Sequence, residues 1–100
     1  MSVTIIPSNE SVISDFNFGY YTASNQKAFA IAGNGARKSL IVVNFSNVDI
    51  YLGDAGVTQD DYLAIIPAGK QAIVETDYQG EYYAVCNSGS PVVFLAIDSY

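Results

Sequence analysis

The sequence predicts an all-β chain, a single-domain antiparallel β-sandwich or jelly-roll-like barrel. Short runs rich in Val, Ile, Tyr and Phe recur at nearly even spacing from Ser39 to Ile97, and breaks rich in Gly, Asn, Asp and Ser separate them. No stretch of helix length carries the 3.6-residue apolar period with caps, so helical crossovers between strands are not expected. One hundred residues support one core and no more. Half of them are hydrophobic and 14% charged, far from the composition of disorder.

The segment 1–27 differs in texture from the rest, with aromatics standing among Ser and Asn. Val3 to Ile6 and Val12 to Tyr21 read as strands, and Phe16, Phe18 and Tyr20 at period two share one face. Thr22 to Lys27 reads as a loop. Two readings of this segment stand: an arm that attaches to another surface, or an edge strand completing the sandwich. The fold proper is expected over residues 28–100. Phe29 to Ala32 is a short strand closed by Gly33-Asn34-Gly35, whose residues readily take positive φ.

Leu40 to Phe45 follows, apolar on both alternating faces, so both faces are expected to be covered. Ser46-Asn47 is expected to turn it into Val48 to Leu52 as a hairpin, with Val48, Ile50 and Leu52 inward and Asp49 and Tyr51 outward. Gly53 to Asp61 is a polar surface loop. Tyr62 to Ile66 and Gln71 to Glu75 are strands flanking the tight turn Pro67-Ala68-Gly69-Lys70, in which Pro presets φ and Gly supplies the left-handed conformation. Asp77 to Gly80 turns the chain into Glu81 to Cys86, with Tyr82, Ala84 and Cys86 on one face. Asn87 to Ser90 then joins Cys86 to Val92 as a second expected hairpin. The period-two faces nominate Leu40, Val42, Ile50, Leu63, Val74, Ala84, Val93 and Leu95 as core.

Charge and residue inventory exclude several function classes. Ten carboxylates against Lys27, Arg37, Lys38 and Lys70 give a net charge of −6, a field that repels nucleic acid and anionic lipid. Arg37-Lys38, the one basic cluster, reads as a solvated approach to a strand. Histidine is absent, which removes the commonest general base and transition-metal ligand. Gly-x-Ser-x-Gly is missing, and Ser24-x-x-Lys27 lacks the motifs that accompany a catalytic Ser-x-x-Lys. Gly33-Asn34-Gly35 lacks the rest of a dinucleotide loop. Asp54, Asp60 and Asp61 lack the spacing of a Ca²⁺ loop. No enzyme, catalytic residue, cofactor or metal is therefore expected. Cys86, the single cysteine, reads as a buried inert thiol. The amino terminus shows no cationic stretch leading into an apolar run, and no segment is long and apolar enough to span a bilayer as a helix, so a soluble chain without membrane contact is expected.

Eight tyrosines and five phenylalanines exceed what so small a core can hold. Stiff, amphipathic rings of this kind suit protein interfaces and sugar stacking alike. Phe16, Phe18, Tyr20 and Tyr21 are the candidate interface, and a homo-oligomer is the expected state.

The run Arg37 to Ser46, then Asp49-Ile50-Tyr51-Leu52-Gly53, Ile66-Pro67-Ala68-Gly69, Glu81-Tyr82-Tyr83-Ala84-Val85 and Val92 to Ile97 together resemble small virion proteins of tailed bacteriophages. In that pattern an Arg opens a strand ending in an Asn-x-Ser turn, a Tyr-x-Gly strand and a Pro-Gly turn follow, and a Tyr-Ala strand precedes a Val-rich one. The resemblance implies a β-sandwich serving as a capsid decoration or cement protein, or as a head or tail accessory module. It implies assembly in the host cytoplasm, residence in the virion, and a capsid or tail protein of the same particle as partner. Residues 1–27 lie outside the match. The alternative reading is a lectin-like carbohydrate-binding sandwich in which exposed Tyr rings stack on glycans.

Overall fold

The computed structural model describes residues 16–74 and 76–100, and every described element of regular structure is a strand or bridge. In chain order the strands are β1 (Phe16–Ala23), β2 (Ala28–Ile31), β3 (Ser39–Asn44), β4 (Ile50–Gly53), β5 (Ala64–Ile66), β6 (Gln71–Val74), β7 (Tyr82–Cys86) and β8 (Val92–Ser99). They form two four-stranded antiparallel sheets, ordered β1-β8-β3-β6 and β2-β7-β4-β5. The fold class expected from the sequence is the one observed. The pairings β1 with β8, β2 with β7, β3 with β6 and β4 with β5 describe one long antiparallel hairpin rolled over on itself. The contacts β3–β8 and β4–β7 complete the roll. That wrapping is a double-sheet jelly roll.

Two expected hairpins are corrected. β3 pairs with β6 and β8 while β4 pairs with β5 and β7, so Ser46-Asn47 carries the chain from one sheet to the other. The same holds for β7 and β8, which belong to different sheets. A short polar break specifies a change of direction, and a turn serves a sheet-to-sheet corner as well as a hairpin. Pro67 to Lys70 is a turn of the expected kind, with Gly69 at φ +69° and the Lys70 N–H donating to the Pro67 carbonyl at 3.1 Å, and it too bridges sheets. Among the described residues the one hairpin of consecutive strands is β4–β5, across the Asp54–Leu63 loop.

The core lies between the sheets. Leu40, Val42, Phe94 and Ala96 enter it from the first sheet, and Ile50, Leu52, Ile66, Tyr82, Ala84 and Cys86 from the second, all essentially inaccessible to solvent. Of the nominated core residues Leu40, Val42, Ile50, Val74 and Ala84 are buried. Leu63 and Val93 are exposed, and Leu95 is only half-buried. In β8 the inward residues are Phe94, Ala96 and Asp98, one position out of step with the expectation. The run Val92 to Ile97 is apolar on both sides, so period two gives no preference for either face. Thr22 and Ala23 belong to β1 rather than to the loop. The expected strand at Val3 to Ile6, and the beginning of the one expected from Val12, lie outside the described residues.

Each end of β3 is tied by a buried polar side chain. At its carboxyl end, Asn44 Nδ2 donates to the carbonyls of Val48, Ile66 and Pro67 at 2.8, 2.9 and 3.2 Å, and Oδ1 accepts from Ser46 N and Oγ. One amide thereby satisfies backbone groups on two connections of the chain where it changes sheets. At the other end Arg37 is 8% exposed and grips Asp98 of β8, Nε to Oδ1 at 2.8 Å and Nη2 to Oδ2 at 3.0 Å. Two further N–H groups reach the Ala32 and Gly80 carbonyls, and its guanidinium lies 5.3 Å from the Tyr82 ring centre. The solvated strand approach expected of Arg37 is thus corrected: buried and paired, it clamps both sheets at that end.

Candidate functional site

Three places could carry function: the acidic β4–β5 loop, the cleft beside Arg37, and the outer faces of the sheets. In the loop, Asp54 accepts from the Gly56 N–H at 2.9 Å and, through its carbonyl, from Val57 at 3.0 Å. Thr58 and Asp61 form a bridge, and buried Val57 anchors the loop against Gly53, where a Cβ would collide with the Val57 methyl at 2.9 Å. Lys27 Nζ donates to the Ala55 carbonyl. The Asp54 carboxylate closes a turn, Asp60 and Asp61 join the loop through their backbone groups, and among the described residues no group of three His, Cys, Asp or Glu is close enough to share an ion.

The cleft, about 350 Å³, opens among Lys38, Ser39, Thr76, Asp77 and Gln79, with Arg37 and Tyr82 at its floor. Four of the five guanidinium donors of Arg37 are spent on Asp98, Ala32 and Gly80. Tyr82 Oη is buried without a hydrogen-bond partner among the described residues. Burial pushes the phenol above its ordinary range, against a smaller opposing pull from Arg37. Burial likewise raises the Cys86 thiol. Burial favours the neutral form of both groups, which suits a packed interior.

The outer face of the first sheet is different. An antiparallel sheet with one solvated face ordinarily presents polar residues there. Here the cross-strand register aligns Phe18, Ile97, Ile41 and Ile73 in one row across all four strands, and Tyr20, Leu95, Val43 and Gln71 in the next. Phe16 and Val93 extend the surface in either direction, and the Phe45 ring lies 6.3 Å from that of Tyr20. Phe18, Tyr20 and Ile73 are 63, 66 and 60% exposed. No described residue of this face bears a charge, on a chain whose net charge is −6. Leu40 to Phe45 reads as a strand to be covered on both sides, and the described residues cover only the side of Leu40 and Val42.

Of the four residues expected at an interface, Phe16, Phe18 and Tyr20 lie on this face, the first two with rings 6.2 Å apart. Tyr21 points the other way and packs on the core, its ring 5.7 Å from that of Phe94. Neighbouring residues of a strand face opposite sides, and period two separates Tyr20 from Tyr21 in the sequence itself. The aliphatic part of the surface, Ile41, Val43, Ile73, Leu95 and Ile97, escaped the sequence reading because strand order alone brings these residues together. The second sheet carries a smaller aromatic set outside: Phe29 against Tyr83 at 5.8 Å, and Tyr51 against Tyr62 at 5.0 Å, beside Ile65. Comparison with protein-family models, curated proteins and solved structures finds no match to this chain.

Proposed function

We propose that this chain is a non-enzymatic structural protein of a phage particle, a capsid decoration or cement protein or a head or tail accessory module. It acts by self-association and by docking on a capsid or tail protein of that particle. The observation that carries the reading is the apolar outer face of the first sheet, uncharged among the described residues, since contiguous apolar surface beyond a few hundred Å² marks an interaction site in a protein that is otherwise well folded. Jelly rolls recur in viral shells, a fold-level analogy that supports the reading. The acidic surface suits an outer position on a particle rather than one against packaged nucleic acid. Mass spectrometry of purified particles tests it: the chain is expected at a fixed stoichiometry to the capsid or tail protein, and its absence from particles overturns the reading.

A carbohydrate-binding module is the second reading, favoured by Tyr51 and Tyr62 on the second sheet, whose rings lie 5.0 Å apart with Tyr62 exposed. Aromatic faces of this kind can stack on sugar rings. A glycan array distinguishes the two, because saturable binding lost in Tyr62→Ala supports the lectin and no saturable binding removes it.

A further inference from the structure

We infer that the outer face of the first sheet is covered by the same face of a second copy of the chain, paired so that β1 of each copy lies over β6 of the other. The inference rests on the structural, self-associating role proposed above and names its surface and geometry.

The choice of occupant follows from charge, area and shape. Ten carboxylates would oppose the approach of two copies, yet none of the described residues of this face is charged, so its described part lets two acidic chains meet without like charges in contact. Four strands about 4.8 Å apart and seven residues at about 3.4 Å each give a face of roughly 19 by 24 Å. Two such corrugated faces bury on the order of 1,000 Å² together, the lower bound of a specific interface, which predicts a reversible pair rather than an obligate one.

The relief of the face then selects the arrangement. Its β1 edge stands high, with Phe16, Phe18 and Tyr20, whereas its β6 edge is low, with Gln71 and Ile73. A two-fold axis running along the strands, between the sheets, lays the high edge of each copy over the low edge of its partner and β8 over β3. The same axis keeps every residue in its own row, so Phe18 sits over Ile73 of the second copy. An axis across the strands would instead set ring against ring and leave the aliphatic edges apart. Close-packed interfaces alternate large against small, and the first arrangement does so.

The test uses the full chain, first by sedimentation across a concentration series and then by thiol cross-linking. A concentration-dependent dimer is expected at tens of micromolar, shifted to monomer in Ile97→Lys. Ile73→Lys, at an exposed position where the fold tolerates change, is expected to do the same with unaltered circular dichroism. In a Phe18→Cys, Ile73→Cys double variant a short bifunctional thiol reagent is expected to link two chains. Within one chain the two positions lie three strand spacings apart, about 14 Å, beyond its reach. Monomer throughout, a dimer indifferent to both lysines, or cross-linking by Phe18→Cys alone overturns the inference. So does an Ile73→Cys thiol that is protected in the monomer and reacts only when residues 1–15 are deleted, which would assign the cover to the chain's own first residues. Particle mass spectrometry reads the parent proposal separately: a chain present on particles yet monomeric defeats the pairing alone, and a dimer absent from particles defeats the parent alone.

Discussion

The two faces of the first sheet are built from alternate residues of the same four strands, and both are apolar. Inside, Leu40, Val42, Phe94 and Ala96 are enclosed by the second sheet. Outside, Ile41, Val43, Leu95 and Ile97 have the same chemistry and are left half-exposed among the more open Phe18, Tyr20 and Ile73. Hydrophobic pattern thus reports the need for cover, whereas topology determines which cover the chain supplies itself. Burial of an apolar side chain is worth the same on either face, about 25 cal/mol per Å². Folding of the chain realises that gain inside, and assembly would realise it outside.

Removal of β1 should have the largest effect, because that strand takes part in both faces. Deleting residues 1–27 uncovers the β8 edge from Val92 to Ser99 and removes Tyr21 from against Phe94. Loss of cooperative thermal unfolding is the expected result, and a fragment that still melts cooperatively would mean that β1 belongs to the surface rather than to the fold. Phe94→Ala should cost about 3–5 kcal/mol through the cavity it leaves, measured by denaturant titration. Asn44→Ala should cost about 1–3 kcal/mol, since the Ile66 carbonyl loses its buried Asn44 donor while the Val48 carbonyl keeps the Ser46 hydroxyl at 3.0 Å.

Alkali probes the interior from another side. The raised Tyr82 phenol and Cys86 thiol remain protonated in the fold when their unfolded counterparts have begun to ionise. The unfolded state then binds fewer protons, so stability is complete below the ordinary thiol and phenol values, about 8.5 and 10, and declines as pH rises above them toward the folded values. Chemical denaturation from pH 7 to 11 should show a falling midpoint, with Cys86 labelled by a thiol reagent only as the chain unfolds. The smallest effect belongs to the outer face. Leu95→Ala should change the melting of dilute protein by less than about 1 kcal/mol. At high concentration it should remove part of whatever stabilisation association contributes. A loss as large as that of Phe94→Ala in dilute protein would erase the distinction between the faces.

How much of this was legible in the sequence varies with how local the signal is. Strand positions were readable because Val, Ile and Tyr runs and Gly, Asn and Pro turns act over a few residues, and Tyr82, Ala84 and Cys86 were assigned to the inner face correctly. The partner of each strand was not readable. Ser46-Asn47 and Asn87 to Ser90 look the same whether they close a hairpin or turn a corner between sheets. The face of β8 was hidden by its even apolarity. Its one internal clue, inward Asp98, is intelligible only with Arg37, 61 residues away in the sequence. Phe16, Phe18 and Tyr20 could be grouped from period two, while the five aliphatic residues that complete the surface depend on a strand order that no local pattern encodes.

The rolled hairpin also dictates an order of events. β1 is hydrogen-bonded to β8, and β2 to β7, so most ladders join segments far apart in the chain. Contacts of such long sequence separation fold slowly, because loop-closure entropy is lost before the contacts form. On the ribosome β1 must wait for β8, the one described strand that it pairs with. The compact β4–β5 hairpin, with its self-bonded Asp54–Leu63 loop, is the piece able to form early and nucleate the rest. During that wait the apolar strands of both faces stand exposed together, and crowding of nascent chains would favour tangled association over the ordered kind. Slower synthesis at low temperature should therefore raise the soluble yield, through time gained by each chain to close on itself before it meets another.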